Sequence, residues 1–417
     1  MIGKQDTHKL IMKKDKPKVL FLSFYLPYKE SVSIIQNDSW PQIQTVNFLE
    51  KFVKSTLFKN NHFDIEFISA PPVTDYPNFR KIFFRKKIYK DNSHGVDKKI
   101  ISIAFLNLPI IKILTRFFSF LIEMIFRKDT PHAAIICFSI HLPMLFSSYI
   151  VSRFKKIPLI GVWTDPPNIP NEFDPYVKRK LRKAEAYLVQ YLMKRCDAVI
   201  ALTECLAVDF SQANSTKYLI LNGFAPDVKC SAKIRNSTKL TIVHIGSLME
   251  RYGLKLLIDA FDELRLEDVE LVFYGVGDVI PYLEKIIEKN SAIKYNGFLN
   301  PDQVTHVLNQ ADFLINCRDP NADLVKYSFP SKMLEYLASG TPIITTLLPS
   351  FSRDIDRSVI LINGYDKESI KEAILIAKNI NDRRYNDLSK SSLTVARSFT
   401  VESQSTLIQS FITSVIK

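Results

Sequence analysis

Leu240-Thr-Ile-Val-His-Ile-Gly246 is an apolar, β-branched run stopped by a glycine. A run of that length ending in a turn residue reads as a short buried strand. The pattern then repeats. Leu254–Leu264 reads as a helix, and Val269–Tyr274 as a strand ending in Gly275-Val-Gly277. Tyr282–Lys289 reads as a helix, Ile293–Tyr295 as a strand and Pro301–Gln310 as a helix. Asp312–Asn316 reads as a strand, Ser331–Ala338 as a helix and Pro342–Thr346 as a strand. Strands that alternate with helices predict a parallel sheet with crossover helices.

The same alternation stands upstream. Lys18–Ser23, Phe63–Ile68, Ala134–Phe138, Ile157–Trp163, Asp197–Leu202 and Lys217–Leu221 read as strands, with helices over Trp40–Leu57 and Leu142–Phe154. The polar stretch Asp227–Lys239 reads as a linker. The expected fold is α/β, with two Rossmann-like, doubly wound domains facing across a cleft. The domains are expected over residues 1–230 and 231–395, with a helix over 396–417 packing back on the first. Ligands of such sheets sit at the carboxyl ends of the strands. Seven of the 11 glycines, Gly223, Gly246, Gly253, Gly275, Gly277, Gly297 and Gly340, fall in the region that supplies those ends.

Composition sets the bounds. At roughly 150 residues per domain, 417 residues suit two or three domains. With 47% hydrophobic and 24% charged residues, disorder and collagen-like repeats are excluded. The five cysteines, Cys137, Cys196, Cys205, Cys230 and Cys317, are scattered and form no CxxC pair. That argues against a disulfide scaffold or zinc module and for a reducing compartment. The first residues are charged and read as no signal peptide. A net charge of +13 suits a nucleic acid, an anionic membrane or a phosphorylated substrate. Charge alone supports the nucleic-acid reading, because no helix-turn-helix, RNA-recognition or zinc signature accompanies it.

One segment points to a membrane surface. Arg80-Lys-Ile-Phe-Phe-Arg-Lys-Lys-Ile-Tyr-Lys90 mixes basic with large apolar residues. Ile100–Phe126 is mostly apolar but interrupted by Asn107, Pro109, Lys112, Arg116 and Glu123, too often for a membrane span. Residues 80–128 are therefore expected to associate with an anionic leaflet, on the inner face of the cytoplasmic membrane.

The chemistry concentrates in Tyr327-Ser-Phe-Pro-Ser-Lys-Met-Leu-Glu-Tyr-Leu-Ala-Ser-Gly-Thr-Pro-Ile-Ile344. Pro330 suits a first helical turn and Ser331 a cap, and the free N–H groups there make an anion site. Lys332 adds a positive charge. Glu335 lies one turn deeper, where a carboxylate can accept two hydrogen bonds from a ribose diol. One short helix can thus hold a diphosphate at its tip and a ribose along its side.

This motif belongs to an ordered series. Gly246-Ser-Leu-Met-Glu-Arg-Tyr-Gly253 comes first, then Leu256-Leu-Ile-Asp-Ala-Phe261 and Phe273-Tyr-Gly-Val-Gly-Asp278. Asn296-Gly-Phe298, Ala311-Asp-Phe-Leu-Ile-Asn316 and the Phe-Pro-Ser-Lys run follow. Together they resemble the C-terminal half of family 4 glycosyltransferases of the GT-B fold, closest to the bacterial surface-polysaccharide branch. Cys196–Thr203 and Leu221-Asn-Gly223 fit the same family more weakly.

The resemblance implies a retaining sugar transfer from a nucleotide-sugar to a lipid-linked or glycan acceptor, with no metal or other cofactor. It implies donor binding by Gly246, Ser247, Gly275, Gly277, Phe298, Tyr327, Ser331, Lys332 and Glu335. Two departures stand out. Relatives often carry a glutamate where this chain has Tyr327. They often carry an arginine and a lysine where it has Ser247 and Tyr252, which leaves Arg251 and Lys332 as the cations for the diphosphate. In the first domain, Ile160-Gly-Val-Trp-Thr-Asp-Pro-Pro167 closes the strand Ile157–Trp163, and the resemblance implies that Asp165 is catalytic on the acceptor side. His141 follows Phe138 and joins it there. Asp354-Ile-Asp356 reads as surface. A GT-B nucleotide-sugar epimerase is the alternative enzyme.

Overall fold

The computed structural model describes residues 16–127, 131–167, 176–211, 216–228, 232–233, 239–323 and 325–416. Cys230 and most of the expected linker lie outside them, as do residues 1–15.

The N-terminal domain contains strands β1 (Lys18–Ser23), β2 (Asp64–Ser69), β3 (Phe83–Phe84), β4 (Lys87–Asp91) and β5 (Lys98–Ser102). It continues with β6 (Phe105–Leu106), β7 (His132–Phe138), β8 (Leu159–Trp163), β9 (Ala198–Ala201) and β10 (Lys217–Ile220). Its helices are α1 (Tyr28–Asn37), α2 (Ile43–Leu57), α3 (Ile111–Ile125), α4 (Leu142–Lys155), α5 (Tyr176–Met193) and α6 (Glu204–Phe210). Eight strands form one sheet in the order β10-β9-β8-β7-β1-β2-β5-β4. All its pairings are parallel except β4 against β5. The central strands are buried on both faces and read as apolar runs for that reason.

The C-terminal domain runs β11 (Leu240–Ser247), α7 (Leu254–Leu264), β12 (Val269–Val276), α8 (Ile280–Ile287), β13 (Ile293–Tyr295), α9 (Pro301–Gln310) and β14 (Phe313–Asn316). It continues α10 (Ser331–Ser339), β15 (Ile343–Thr346), α11 (Arg353–Arg357), β16 (Ile360–Ile362), α12 (Lys367–Asn379) and α13 (Asp382–Ser398). Its six strands are all parallel, in the order β13-β12-β11-β14-β15-β16. Chain order reverses between β11 and β14, and that switch point is where a doubly wound sheet opens a crevice. The expected α/β fold with two Rossmann-like domains is the observed one.

The last helix, α14 (Val401–Ile416), lies against the first domain. Ile408 and Ile412 join that domain's core, and the Gln409 side-chain amide donates to the carbonyl of Phe58 at 2.8 Å.

The segment 80–128 differs from expectation. It is not one amphipathic stretch: β4 and β5 extend the sheet, and β3 and β6 pair antiparallel beside them. Ile100 and Ile101 are buried in β5. Two-residue strands carry too few residues for a period to show. Among the described residues of this segment α3 is the α-helix, and its polarity is inverted. Lys112, Arg116, Phe120 and Met124, four residues apart, form the buried face. Ile111, Leu114, Phe118, Ile122 and Ile125 are exposed, Phe118 to 54%. Arg116 is only 2% exposed; it donates to the Pro71 carbonyl at 2.6 Å and stacks 4.3 Å from the Phe105 ring centroid. Lys112 bonds the Val73 carbonyl at 2.6 Å and Asp75 at 2.8 Å. The residues that interrupt the apolar run are therefore the ones that pin the helix to the domain. Among the described residues no helix is long and apolar enough to cross a membrane.

Candidate active site

The carboxyl ends of β11 and β12 meet backbone to backbone. Gly275 has φ +144°, and a Cβ there would stand 1.7 Å from the Gly246 carbonyl oxygen. No side chain fits, so the two glycine turns make a smooth floor. Ser247 ends β11 and is exposed, Gly277 follows β12, and Phe298 stands exposed in the loop after β13. Below Gly246 lies His244, buried, with Nδ1 3.0 Å from the Ile315 carbonyl and Nε2 unpartnered. Burial first, and then nearby Arg318, lowers its pKa to about 4, so the ring is neutral at pH 7.

Helix α10 is fixed to this floor. The Tyr336 hydroxyl accepts from the Ile245 N–H at 2.8 Å and donates to the Ile245 carbonyl at 3.0 Å. Met333, Leu334, Tyr336 and Leu337 are buried, which leaves Lys332 and Glu335 on the open face. The helix tip differs from expectation in one respect. Pro330 holds the N-cap position, Ser331 is the first helical residue, and no side chain caps the end. Its first N–H groups are therefore uncapped by side chains. Lys332 Nζ lies 2.7 Å from Glu335 Oε2, so the expected diphosphate and ribose ligands are paired with each other here.

The N-terminal domain supplies groups the sequence did not single out. Lys51 of α2 donates to the Phe224 carbonyl at 3.4 Å. Burial lowers its pKa; Glu335 raises it and Lys332 lowers it, which places Lys51 in the field of the α10 pair. Tyr327 donates to Asp209 of α6 at 2.8 Å, and the Thr203 hydroxyl donates to the Lys326 carbonyl at 3.0 Å. Tyr327 thus bridges the two domains at the cleft. Spatial neighbours such as Lys51 left no trace in the sequence, because its helical position has no spacing relation to α10.

His141 caps α4 directly after β7, edge-on to Phe24 with ring centroids 5.3 Å apart. Its Nε2 is 3.4 Å from an Arg116 nitrogen, and its Nδ1 is buried without a partner. Burial, then Arg116 and Lys112, drive its pKa well below the ordinary value. Asp165 lies two residues beyond β8, exposed, and accepts a 2.8 Å bond from Thr164. The structure brings Gly246, Gly275, Gly277, Ser331, Lys332 and Glu335 to the ends of the second sheet. Among the described residues no hydrogen bond or ion pair joins Asp165 or His141 to them. Arg251 is exposed in the turn after β11, its guanidinium carbon 5.1 Å from the Tyr252 ring centroid. Asp354 is exposed, Asp356 is half-buried, and no cluster of metal-ligating side chains occurs among the described residues.

Comparison with known proteins bears on this arrangement. Residues 239–377 match the family described as "Glycosyl transferases group 1". No curated protein matches the sequence. Three solved structures share the fold over nearly the whole chain. Anabaena HepE in complex with UDP is 15% identical, with 95% of this chain and 100% of that one covered at a TM-score of 0.57. Sucrose-phosphate synthase from Thermosynechococcus elongatus is 11% identical, covering 96% and 99% at 0.61. The E. coli trehalose-6-phosphate structure bound with UDP-2-fluoro glucose is 9% identical, covering 96% and 99%, also at 0.61. Residues 239–377 are thus a group 1 glycosyltransferase domain on a GT-B frame, and the protein is a glycosyltransferase.

Proposed function

We propose that the enzyme moves a sugar from a nucleotide-sugar to a lipid-linked or glycan acceptor in surface-polysaccharide biosynthesis, at the inner face of the cytoplasmic membrane. The observation that carries the donor reading is the uncapped tip of α10 with Lys332 and Glu335 on its open face, held by Tyr336 beside the glycine floor. The UDP and UDP-glucose complexes of Anabaena HepE support a nucleoside diphosphate-sugar as donor. When the donor enters, Lys332 turns from Glu335 to the diphosphate, and Glu335 is released to accept from the ribose hydroxyls. Negative charge grows on the leaving oxygen as the sugar bond breaks. The α10 N–H groups and Lys332 are aimed where that charge develops, so they lower the barrier without a metal. Neutral His141 and exposed Asp165 stand on the acceptor side, and the transfer proceeds with retention.

The outward face of α3 supports the membrane part of this reading. Its apolar residues face solvent beside exposed Arg80, Lys81, Arg85, Lys86, Lys87 and Lys90, a combination suited to an anionic leaflet. A nucleotide-sugar epimerase would have no use for such a face.

The test is thermal stabilisation across a panel of nucleotide-sugars, repeated on Glu335→Gln. One donor should raise the melting temperature of the wild type. The variant should keep its own melting temperature and bind that donor about tenfold or more weakly, the loss of a charge-assisted bond worth about 1.5–3 kcal/mol. Equal affinity in the two proteins overturns the ribose assignment.

A further inference from the structure

At the carboxyl end of β14 the chain passes through buried Cys317 to Arg318. The backbone there is held from two sides. The Arg318 carbonyl accepts from the Thr346 hydroxyl at 2.6 Å, tying it to the end of β15. On the other side, Gly253 takes φ +79°, and a Cβ on it would lie 2.0 Å from the Cys317 carbonyl oxygen. Only glycine allows the turn after β11 to press this closely on the end of β14. That turn carries Arg251 and Tyr252.

The result is a stack. The Arg318 guanidinium carbon lies 4.4 Å from the centroid of the Tyr252 ring, and that of Arg251 lies 5.1 Å from the same centroid. Cation–π contact with one ring holds two like charges near each other. Neither arginine has an ion pair among the described residues. Burial lowers the Arg318 pKa; Tyr252 and Tyr336 raise it in part, and the like charge of Arg251 lowers it again. Arg318 is half-buried and Arg251 exposed, and no carboxylate among the described residues neutralises either. The stack sits at the switch point of the sheet, beside the floor formed by Gly246 and Gly275.

Resting on the donor reading above, we infer that Arg318 is a diphosphate-binding residue of this site. Its guanidinium, oriented by Tyr252 and seconded by Arg251, grips the diphosphate from the side opposite the α10 tip. A guanidinium presents paired N–H donors that match two phosphate oxygens, and stacking fixes its plane in advance. A dianion between the two arginines also relieves their repulsion. Tyr252 is then a positioning residue.

The experiment is calorimetric titration of UDP, GDP and ADP, and of the matching nucleosides, into wild type, Arg318→Ala and Arg318→Lys. For the diphosphate that the wild type binds, Arg318→Ala should weaken affinity about tenfold or more, while the nucleoside binds as before. Arg318→Lys keeps the charge and loses the fork, so it should fall between the two. Unchanged diphosphate affinity in Arg318→Ala overturns the inference and leaves the donor reading standing. Equal weakening of diphosphate and nucleoside also overturns it, because the residue is then structural. Wild type that binds none of the three diphosphates overturns the donor reading, and this inference with it. If Arg318→Ala melts below its wild type, Arg318→Lys decides by the same comparison of diphosphate with nucleoside.

Discussion

Helices α3 and α10 solve opposite problems with the same geometry. In α10 the apolar residues Met333, Leu334 and Leu337 face the sheet, and Lys332 and Glu335 face the cleft. In α3 the cations Lys112 and Arg116 face the domain, and Leu114, Phe118 and Ile122 face outward. A helix of the first kind is stable in water as it stands. The second buries charge, which requires partners, and it has them in the carbonyls of Val73 and Pro71 and in Asp75. Periodicity gives both helices two faces. Which face turns inward is decided by what those partners offer.

The sharpest way to break this contrast is to make α3 resemble α10. Phe118→Glu with Ile122→Glu places two carboxylates on the outward face. Full burial of such a side chain is worth about 1.5–3 kcal/mol. Sedimentation with anionic vesicles should therefore weaken by about a thousandfold. Thermal stability in solution should hold, because both residues are exposed. Neutralising Arg85, Lys86 and Lys87 should have the smaller effect, since Lys86 already pairs with Glu123 at 2.6 Å. Vesicle binding that survives the glutamates removes the membrane face from the reading.

On α10, Lys332→Ala should lower kcat by about a hundredfold, the size of one lost electrostatic stabiliser. Donor affinity should fall less. The ground-state diphosphate is already charged, but the charge that Lys332 must meet is greatest as the sugar bond breaks. A raised KM with unchanged kcat would move leaving-group stabilisation to Arg318, Arg251 or the backbone.

The two halves of the chain were unequally legible. In the C-terminal domain, apolar runs ending in glycine fixed β11 and β12, and β13 and α9 fall on their expected residues. A parallel sheet covered on both faces leaves little else for such runs to be. In the N-terminal domain β3 to β6 are not legible, because Arg80–Lys90 mixes basic and aromatic residues as a surface segment does, and Ile100–Phe126 reads as one apolar stretch. The α10 cluster was legible because Pro330, Ser331, Lys332 and Glu335 lie within one turn or two. Lys51 and Arg318 were not, because tertiary packing brings them to the cleft and no spacing records it. The Lys332–Glu335 pair follows from i, i+3 helical geometry.

Each half also buries a neutral histidine, His141 beneath α3 and His244 beside α10. Both have folded-state pKa values below the unfolded value of about 6.5. Between about pH 6.5 and the folded value, the unfolded chain binds the extra proton, so stability falls as pH falls. For His244 that window ends at about pH 4. Its slope is about 1.4 kcal/mol per pH unit while it lasts. Denaturant titrations across this range should show the decline, and His244→Gln should flatten the part due to that site. A flat profile in the wild type would mean that neither ring stays neutral in the fold.

The smallest expected effect comes from Tyr327, which faces both domains. Its hydroxyl donates to Asp209 at 2.8 Å, and both residues are in reach of solvent. Tyr327→Phe removes one hydrogen bond to a carboxylate that water can replace, so the cost should stay within about 1 kcal/mol. If the residue only links the domains, Asp209→Ala should have the same effect, and the double variant should be no worse than either single one, as a double-mutant cycle reads it. If Tyr327 instead contacts the donor, Tyr327→Phe should weaken donor binding while Asp209→Ala leaves it alone. The distinction matters for the leaving-group side of the site. A chain with tyrosine in place of the first glutamate has one carboxylate on the open face of α10. On the proposed donor reading Glu335 would meet the donor hydroxyls without a second carboxylate, and its 2.7 Å pairing with Lys332 holds both side chains on the open face.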